Sequence, residues 1–404
     1  MKLFQILILA ALASCYPAAD QLTWQSIEKD LQLKIIQAKS GEVITLPAGN
    51  FMFSKSLILD GLTDVTIRGA GIDQTILSFE NQESGAEGIR AANCTNLVFE
   101  DFTIRDAKGD NVKVTDTNGI RFSRVKSEWT GEPKEENGAY AFYPVLCKNV
   151  KVENCLAIGS SDAGIYVGQS DSVIIRNNEV YFNVAGIESE NSRWVEIYGN
   201  HAHHNTGGIL IFDMPGLTQS GHTTRVYNNK VISNNYRNFA PEGNVVATVP
   251  SGTGVMMMAT RNIEVFDNQI IDNRTVGTAI ASYVLVEALG AEAGSQLDSA
   301  NAKINSDYDP YPNQIHIHDN TYANKYAIPT FKNDFGLLFF VKFPFATPDI
   351  AMDGIFPKDQ PFEMCLRNNG DIRFANIDAE NDFAGLTTDW SAHACEGLTI
   401  KPIF

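Results

Sequence analysis

The chain has 404 residues, 44% of them hydrophobic, so it can bury a large core as one long repetitive domain or as two or three shorter ones. A formal net charge of −17 at pH 7 argues against a nucleic-acid surface and suits an exported, well-solvated protein. Any cationic site is therefore local.

The start, "MKLFQILILAALASC", carries Lys2, an apolar run from Leu3 to Leu12 and then small residues, the pattern of an export signal too short to span a membrane as a stable helix. Leu12-Ala13-Ser14-Cys15 resembles the bacterial lipobox. That resemblance implies a signal over 1–14, cleavage before Cys15, a diacylglycerol on its sulfur and, with Tyr16 rather than aspartate next, attachment to the outer membrane. Ordinary signal cleavage near Ala13 or Ala19 is the alternative. In segment 15–40, the helical spacing of Leu22, Ile27, Leu31 and Ile35, ending at Gly41, predicts an amphipathic helix that caps the repeats beyond it.

From 41 to 326 the chain repeats itself. "VIIRNNEV", "VEIYGNHA", "TRVYNNKV", "IEVFDNQI" and "IHIHDNTY" share alternating apolar residues and an asparagine in sixth place, and Gly164, Gly186 and Gly208 recur about 22 residues apart. Alternation means short strands, and a fixed period without Asn-Gly hairpins suits a coil whose turns lie about 4.8 Å apart. The predicted fold is all-β: a right-handed parallel β-helix with an N-terminal helical cap. In such a coil Asn178, Asn200, Asn229, Asn268 and Asn320 stack as an internal amide ladder, a structural role. Insertions are expected at Glu128–Gly138, Asp213–Thr223 and Glu287–Pro312. The segment 327–404 loses the period and reads as a terminal cap or small appended domain. It holds Cys365 and Cys395, which can form one disulfide, whereas Cys94, Cys147 and Cys155 occupy core positions of the repeat. No Cys-x-x-Cys-His occurs, which excludes haem attachment through that motif.

Strand alternation places Arg90, Lys113, Tyr143, Tyr166, Glu188, Leu210 and Met256 in one outward column, and Ala92, Thr115, Val145, Gly168, Glu190, Phe212 and Met258 in a second. Arg90 and Lys113 can bridge an anion, and Tyr143 and Tyr166 can support a sugar ring. Glu188 and Glu190, with Cα atoms about 6.5 to 7 Å apart, have a separation that overlaps that of inverting glycoside hydrolysis, one as acid and one as base. Asp213, one turn on, can join them in catalysis or as a Ca²⁺ ligand. The same residues also fit a solvated face and aromatic stacking along the sheet. Asp162 reads as a turn residue. His201, His203 and His204 cluster without an identifiable acidic partner, and Met256–Met258 suit a covered apolar patch.

"ITLPAGNFMF" followed by "TIRGAGIDQTIL" resembles the opening of the pectate-lyase-like superfamily, which includes polysaccharide lyases and mannuronan C-5 epimerases. "YPVLCKNVKVENCLAIGSSDAGIYVGQS", "NVAGIESENS", "NTGGILIFDMPG" and "VPSGTG" are more closely similar to a family of exported bacterial parallel β-helix repeat proteins, many of them lipoproteins. That family carries no established activity; it implies an envelope location and a c-type cytochrome as a partner. The epimerase signature Tyr-Gly-Phe-Asp-Pro-His falls here on Tyr140-Ala141-Phe142-Tyr143-Pro144-Val145. Tyrosine and valine replace its chemical aspartate and histidine, and valine can move no proton, so that mechanism is not expected. Two functions are compatible with these residues. One is an envelope lipoprotein binding, and processing, an acidic polysaccharide along the Arg90-to-Glu190 face; the other is a non-catalytic scaffold docking an exported cytochrome-like protein.

Overall fold

A computed structural model describes residues 24–25, 27–292, 308–326, 328–342, 347–357 and 360–397. The expected leader, Cys15 and Leu22 lie outside the described residues. The repeat folds into a right-handed parallel β-helix, successive turns pairing in parallel. Its first face is an 11-stranded sheet that includes Ala163–Gly168, Ala185–Glu190 and Gly207–Phe212. The second face carries Asp171–Arg176, Arg193–Tyr198, His222–Tyr227, Arg261–Phe266 and Asn313–His318, and the third the three-residue strands that follow each corner. Ile165, Val167, Ile187, Ile209, Ile211 and Val255 fill the interior.

The recurring asparagine turns the corner between the second and third faces. The residue before it, Asn177, Gly199, Asn228, Asp267 or Asp319, sits at φ 55°, 66°, 53°, 53° or 54°, a left-handed conformation that Asn, Asp and Gly tolerate best. Each ladder amide then donates to the next: Asn178 to Asn200 at 2.9 Å, Asn200 to Asn229 at 3.0 Å, Asn229 to Asn268 at 3.0 Å and Asn268 to Asn320 at 2.9 Å. A second ladder, Asn183–Asn205–Asn234–Asn273, lines the next corner with Nδ2–Oδ1 distances of 3.0, 2.9 and 3.2 Å.

Helix α1 (Glu28–Gln37) buries Leu31 and Ile35 against the end of the coil. The Gln32 amide pairs with both backbone groups of Ile58 at 2.9 Å, replacing a missing neighbour strand. Helix α2 (Tyr283–Glu292) leaves the first face after the strand Val276–Ala281. The far end differs from expectation. The coil does not stop at 326: Ile350–Met352, Met364–Arg367 and Phe374–Asn376 add further rungs, and Asn369 accepts from Asn320 at 3.1 Å. Inserted segments hide the period there. The run "LLFFVKFPF" contributes to α3 (Asp334–Lys342), whose Phe339 packs on Val276, Ala351 and Ala375. Cys365 and Cys395 are disulfide-bonded with Cα atoms 5.5 Å apart, and Cys94, Cys147 and Cys155 are buried free thiols.

Candidate active site

The backbone register reproduces both outward columns. Arg90 lies beside Lys113, Lys113 beside Tyr143, Tyr166 beside Glu188, Glu188 beside Leu210 and Leu210 beside Met256. The second runs through Gly168, Glu190, Phe212 and Met258. What alternation could not show is that this face is half covered. An insertion after Asn234 packs Tyr236, Phe239, Val246 and Val249 onto Leu210, Phe212, Met256 and Met258, joined by Tyr283 and Val286 of α2. Towards the N-terminal end the strip is open: Arg90 is exposed, and Lys113 and Tyr143 are half-buried. The carboxyl-bearing residues sit where open strip meets cover.

Flanking loops make the walls. The predicted Glu128–Gly138 insertion is tied to the covering loop by Arg237, whose guanidinium donates to the Pro133 carbonyl at 2.8 Å. It also fixes the corner that carries Asp162, through Ser161 Oγ donating to the Asn137 carbonyl at 2.8 Å and Asp162 N–H to the Ala139 carbonyl at 3.1 Å. Opposite, Asn191 clamps the Asp213–Thr223 loop, accepting from Met214 N–H at 2.7 Å and donating to the Gln219 carbonyl at 2.8 Å.

Between the walls stand Tyr140, Tyr143 and Tyr166 and the carboxyl groups of Asp110, Asp162, Glu188 and Glu190, with Asp213 at the start of the wall loop. Tyr140 lies 4.4 Å from Tyr143 and 4.6 Å from Tyr166, ring centre to ring centre. The Tyr140 hydroxyl donates to Asp162 Oδ2 at 3.2 Å, and the Tyr166 hydroxyl to Glu190 Oε1 at 2.7 Å. Gly168 makes the second bond available, because a Cβ there would strike the Tyr166 ring and hydroxyl. Asp162 and Glu188 are 6% and 2% exposed. Neither Asp162 Oδ1 nor Glu188 Oε2 has a hydrogen-bond partner among the described residues, and the Asp162 carboxyl beside Glu188 disfavours ionisation of the latter.

Burial is the largest influence on every acid here. It pushes Asp162 up to about 7, with Glu190 adding and the Tyr140 hydroxyl opposing, and raises Glu188, with Asp162 and Glu190 adding; it also raises Glu190, against the opposing Tyr166 hydroxyl. Burial pushes Asp110, at the open end, up to about 6, with Lys113 pulling it down. Asp213 is pushed up to about 7, although Gly221 N–H, Arg261 and Arg193 oppose this. The Lys113 ammonium rests 4.7 Å from the Tyr143 ring centre, and burial pushes that tyrosine up to about 12. The strip thus grades from cationic, through aromatic, to a carboxyl pair that holds a proton near neutral pH.

Several sequence expectations change. Glu188 does not face solvent as half of a Glu188–Glu190 pair: it is buried against Asp162, and only Glu190 reaches the partly exposed rim. Tyr166, 4% exposed, cannot lie open beneath a sugar ring; it orients Glu190. Asp213 is wholly buried and accepts the Gly221 N–H at 2.8 Å, while Tyr308 donates to its carbonyl at 2.8 Å. Among the described residues the ligand groups of Glu188, Glu190 and Asp213 do not gather closely enough to form a Ca²⁺ site. Arg90, Lys113 and Tyr143 remain on the open strip. Asp162 joins this cluster although it read as a turn residue, and Tyr140 and Asp110 were not among the expected site residues; Tyr140 opens the strand Tyr140–Val145 and the epimerase-like hexapeptide, and Asp110 lies just before the strand Val112–Thr115. The surface histidines do have an acidic neighbour, Glu179, 3.1 Å from His203 Nε2.

A family model described as "Right handed beta helix region" matches residues 61–231. No curated protein matches the chain. Among solved structures, the A-module of mannuronan C-5 epimerase AlgE4 of Azotobacter vinelandii is similar at 16% identity and a TM-score of 0.52, over 85% of this chain and 91% of that one. The AlgE6 A-module of the same organism gives 14% and 0.52, over 87% and 91%. The chain thus shares the right-handed parallel β-helix fold with these structures, and the family model matches part of its coil.

Proposed function

We propose that the chain binds a polysaccharide on the open strip of its first face and processes a glycosidic bond at the end of that strip. The observation that supports this best is the Asp162–Glu188 pair: two carboxyls buried against each other with no cation in hydrogen-bond contact among the described residues, beside Tyr140 and Glu190 at an accessible edge. Burying acids this way costs stability, and such pairs concentrate where proton transfer is needed. In this reading the pair stores the proton, Glu190 is the base at the rim, Tyr166 orients it, and Tyr140 and Tyr143 contact the sugar. Arg90 and Lys113 give the acidic chain a local cationic end and favour a uronate-bearing glycan.

The lipobox-like leader supports an exported envelope lipoprotein anchored through Cys15, and the mass of the membrane-extracted chain tests that. For the activity, the purified protein is incubated with uronic-acid glycans and assayed for new reducing ends or unsaturated products. Glu188→Gln is expected to abolish turnover and leave binding. Absence of both binding and product with every glycan tried defeats the proposal.

A further inference from the structure

The last of the five repeated phrases, "IHIHDNTY", puts two histidines in outward columns where earlier turns carry Glu and Arg, or Tyr and Phe. His316 pairs with Glu264 across the turns Arg261–Phe266 and Asn313–His318, and His318 with Phe266. His316, His318 and Glu264 are buried, at 2%, 8% and 7% exposure. Glu264 Oε1 lies 3.1 Å from His318 Nε2 and 3.9 Å from His316 Nδ1, and all three ligand atoms are within 4.8 Å of one another. Tetrahedral bonds of about 2.0 to 2.1 Å hold ligand atoms about 3.3 Å apart, so side-chain shifts of at most about 1.5 Å would close this trio on one ion.

The surroundings are those of a ligand set. His318 Nδ1 faces Asp319 Oδ2 at 2.6 Å, which holds a proton on Nδ1, while Nε2 faces Glu264 Oε1 and would coordinate once the ion displaces any proton shared there. The other oxygen of Glu264 accepts from Arg225 Nε at 2.7 Å, leaving Oε1 directed at the histidines. His318 stacks on Phe266 with an interplanar angle of 5°, which restricts ring rotation. We propose that Glu264, His316 and His318 bind a divalent first-row transition ion of the Zn²⁺ class, stapling these two turns of the coil. Imidazole and carboxylate donors suit that class. The Cys365–Cys395 disulfide beside His316 takes no part, since its sulfurs are committed to each other. The surface trio Glu179, His201 and His203 lacks such support: His203 Nδ1 faces His204 Nδ1 at 2.7 Å, not a carboxylate.

The test titrates Co²⁺ into the chelator-treated full chain and reads its visible ligand-field bands and stoichiometry. One Co²⁺ per chain is expected, retained when His201 and His203 are both replaced by alanine and lost in His318→Ala, with circular dichroism confirming that each variant is folded. Asp319 has a 38% exposed side chain, so Asp319→Asn should fold in any case; it is expected to weaken binding about tenfold. Absence of binding, loss of binding in the His201/His203 variant, or unchanged affinity in Asp319→Asn would overturn the assignment and leave His318 as the centre of an ion-pair chain.

Discussion

Replacing Asp213 by asparagine removes one buried acid without removing the acceptor that Gly221 needs. In the folded chain one Asp213 oxygen accepts that N–H at 2.8 Å, while the other is buried with no hydrogen-bond partner among the described residues. Burial pushes the group from 3.8 up to about 7. Below the lower value both folded and unfolded chains hold the proton, and the stabilisation relative to high pH is complete. As pH rises the unfolded chain releases its proton first, so stability falls through the interval and levels off above the folded value. About three pKa units at about 1.4 kcal/mol each make the loss about 4 kcal/mol. The amide of the Asp213→Asn variant cannot ionise. Urea denaturation of both chains at a series of pH values should therefore give a stability difference, variant minus wild type, that rises by about 4 kcal/mol between about pH 4 and pH 8. An unfavourable buried amide lowers the variant by a constant amount and leaves the slope intact. Parallel curves would refute the assignment of a proton to Asp213 near neutral pH, and with it the burial argument applied to the neighbouring acids.

Tyr166→Phe deletes the donor on Glu190 and leaves desolvation unopposed, so the acidic limb of the pH profile should move upward and turnover near neutral pH should fall; an unmoved profile excludes Glu190 as the base. Lys113→Ala should weaken binding of an anionic oligosaccharide about tenfold at low salt and much less at high salt, read by calorimetry, while neutral sugars are unaffected. Asn200→Ala breaks four side-chain hydrogen bonds, to Ile175 O and Asn229 and from Asn178 N and Nδ2, and should cost about 4 kcal/mol in equilibrium unfolding. A loss under about 1 kcal/mol would remove the ladder as a source of stability.

The coil is legible in the sequence because stacking turns sequence identity into columns: an asparagine that recurs at one corner has to meet its copies, and residues two apart on a strand share a face. Arg90, Lys113, Tyr143, Tyr166, Glu188 and Glu190 align correctly on that basis. Their burial is not legible. Glu188 is enclosed by Tyr166 and Leu210 and by loops whose docking no period encodes, and the covering insertion after Asn234 shows itself only as an unusually long gap between Gly208 and Gly254. Asp162 and Asp110 lie at corners, where strand alternation assigns no direction, so their approach to Tyr140 emerges only in three dimensions. At the far end α3 and its flanking segments interrupt the period, which makes the rungs after Tyr326 read as a separate cap.

The proposed polysaccharide site is tested most directly by the structure of the Glu188→Gln chain bound to a short oligouronide under mildly acidic conditions. Sugar density is expected along Arg90, Lys113 and Tyr143, with a glycosidic oxygen at the edge formed by Tyr140 and Glu190. An oligouronide lodged on another face of the coil, or sugar on the strip with its linkage directed away from Glu190, would overturn the assignment of that edge as the reacting centre.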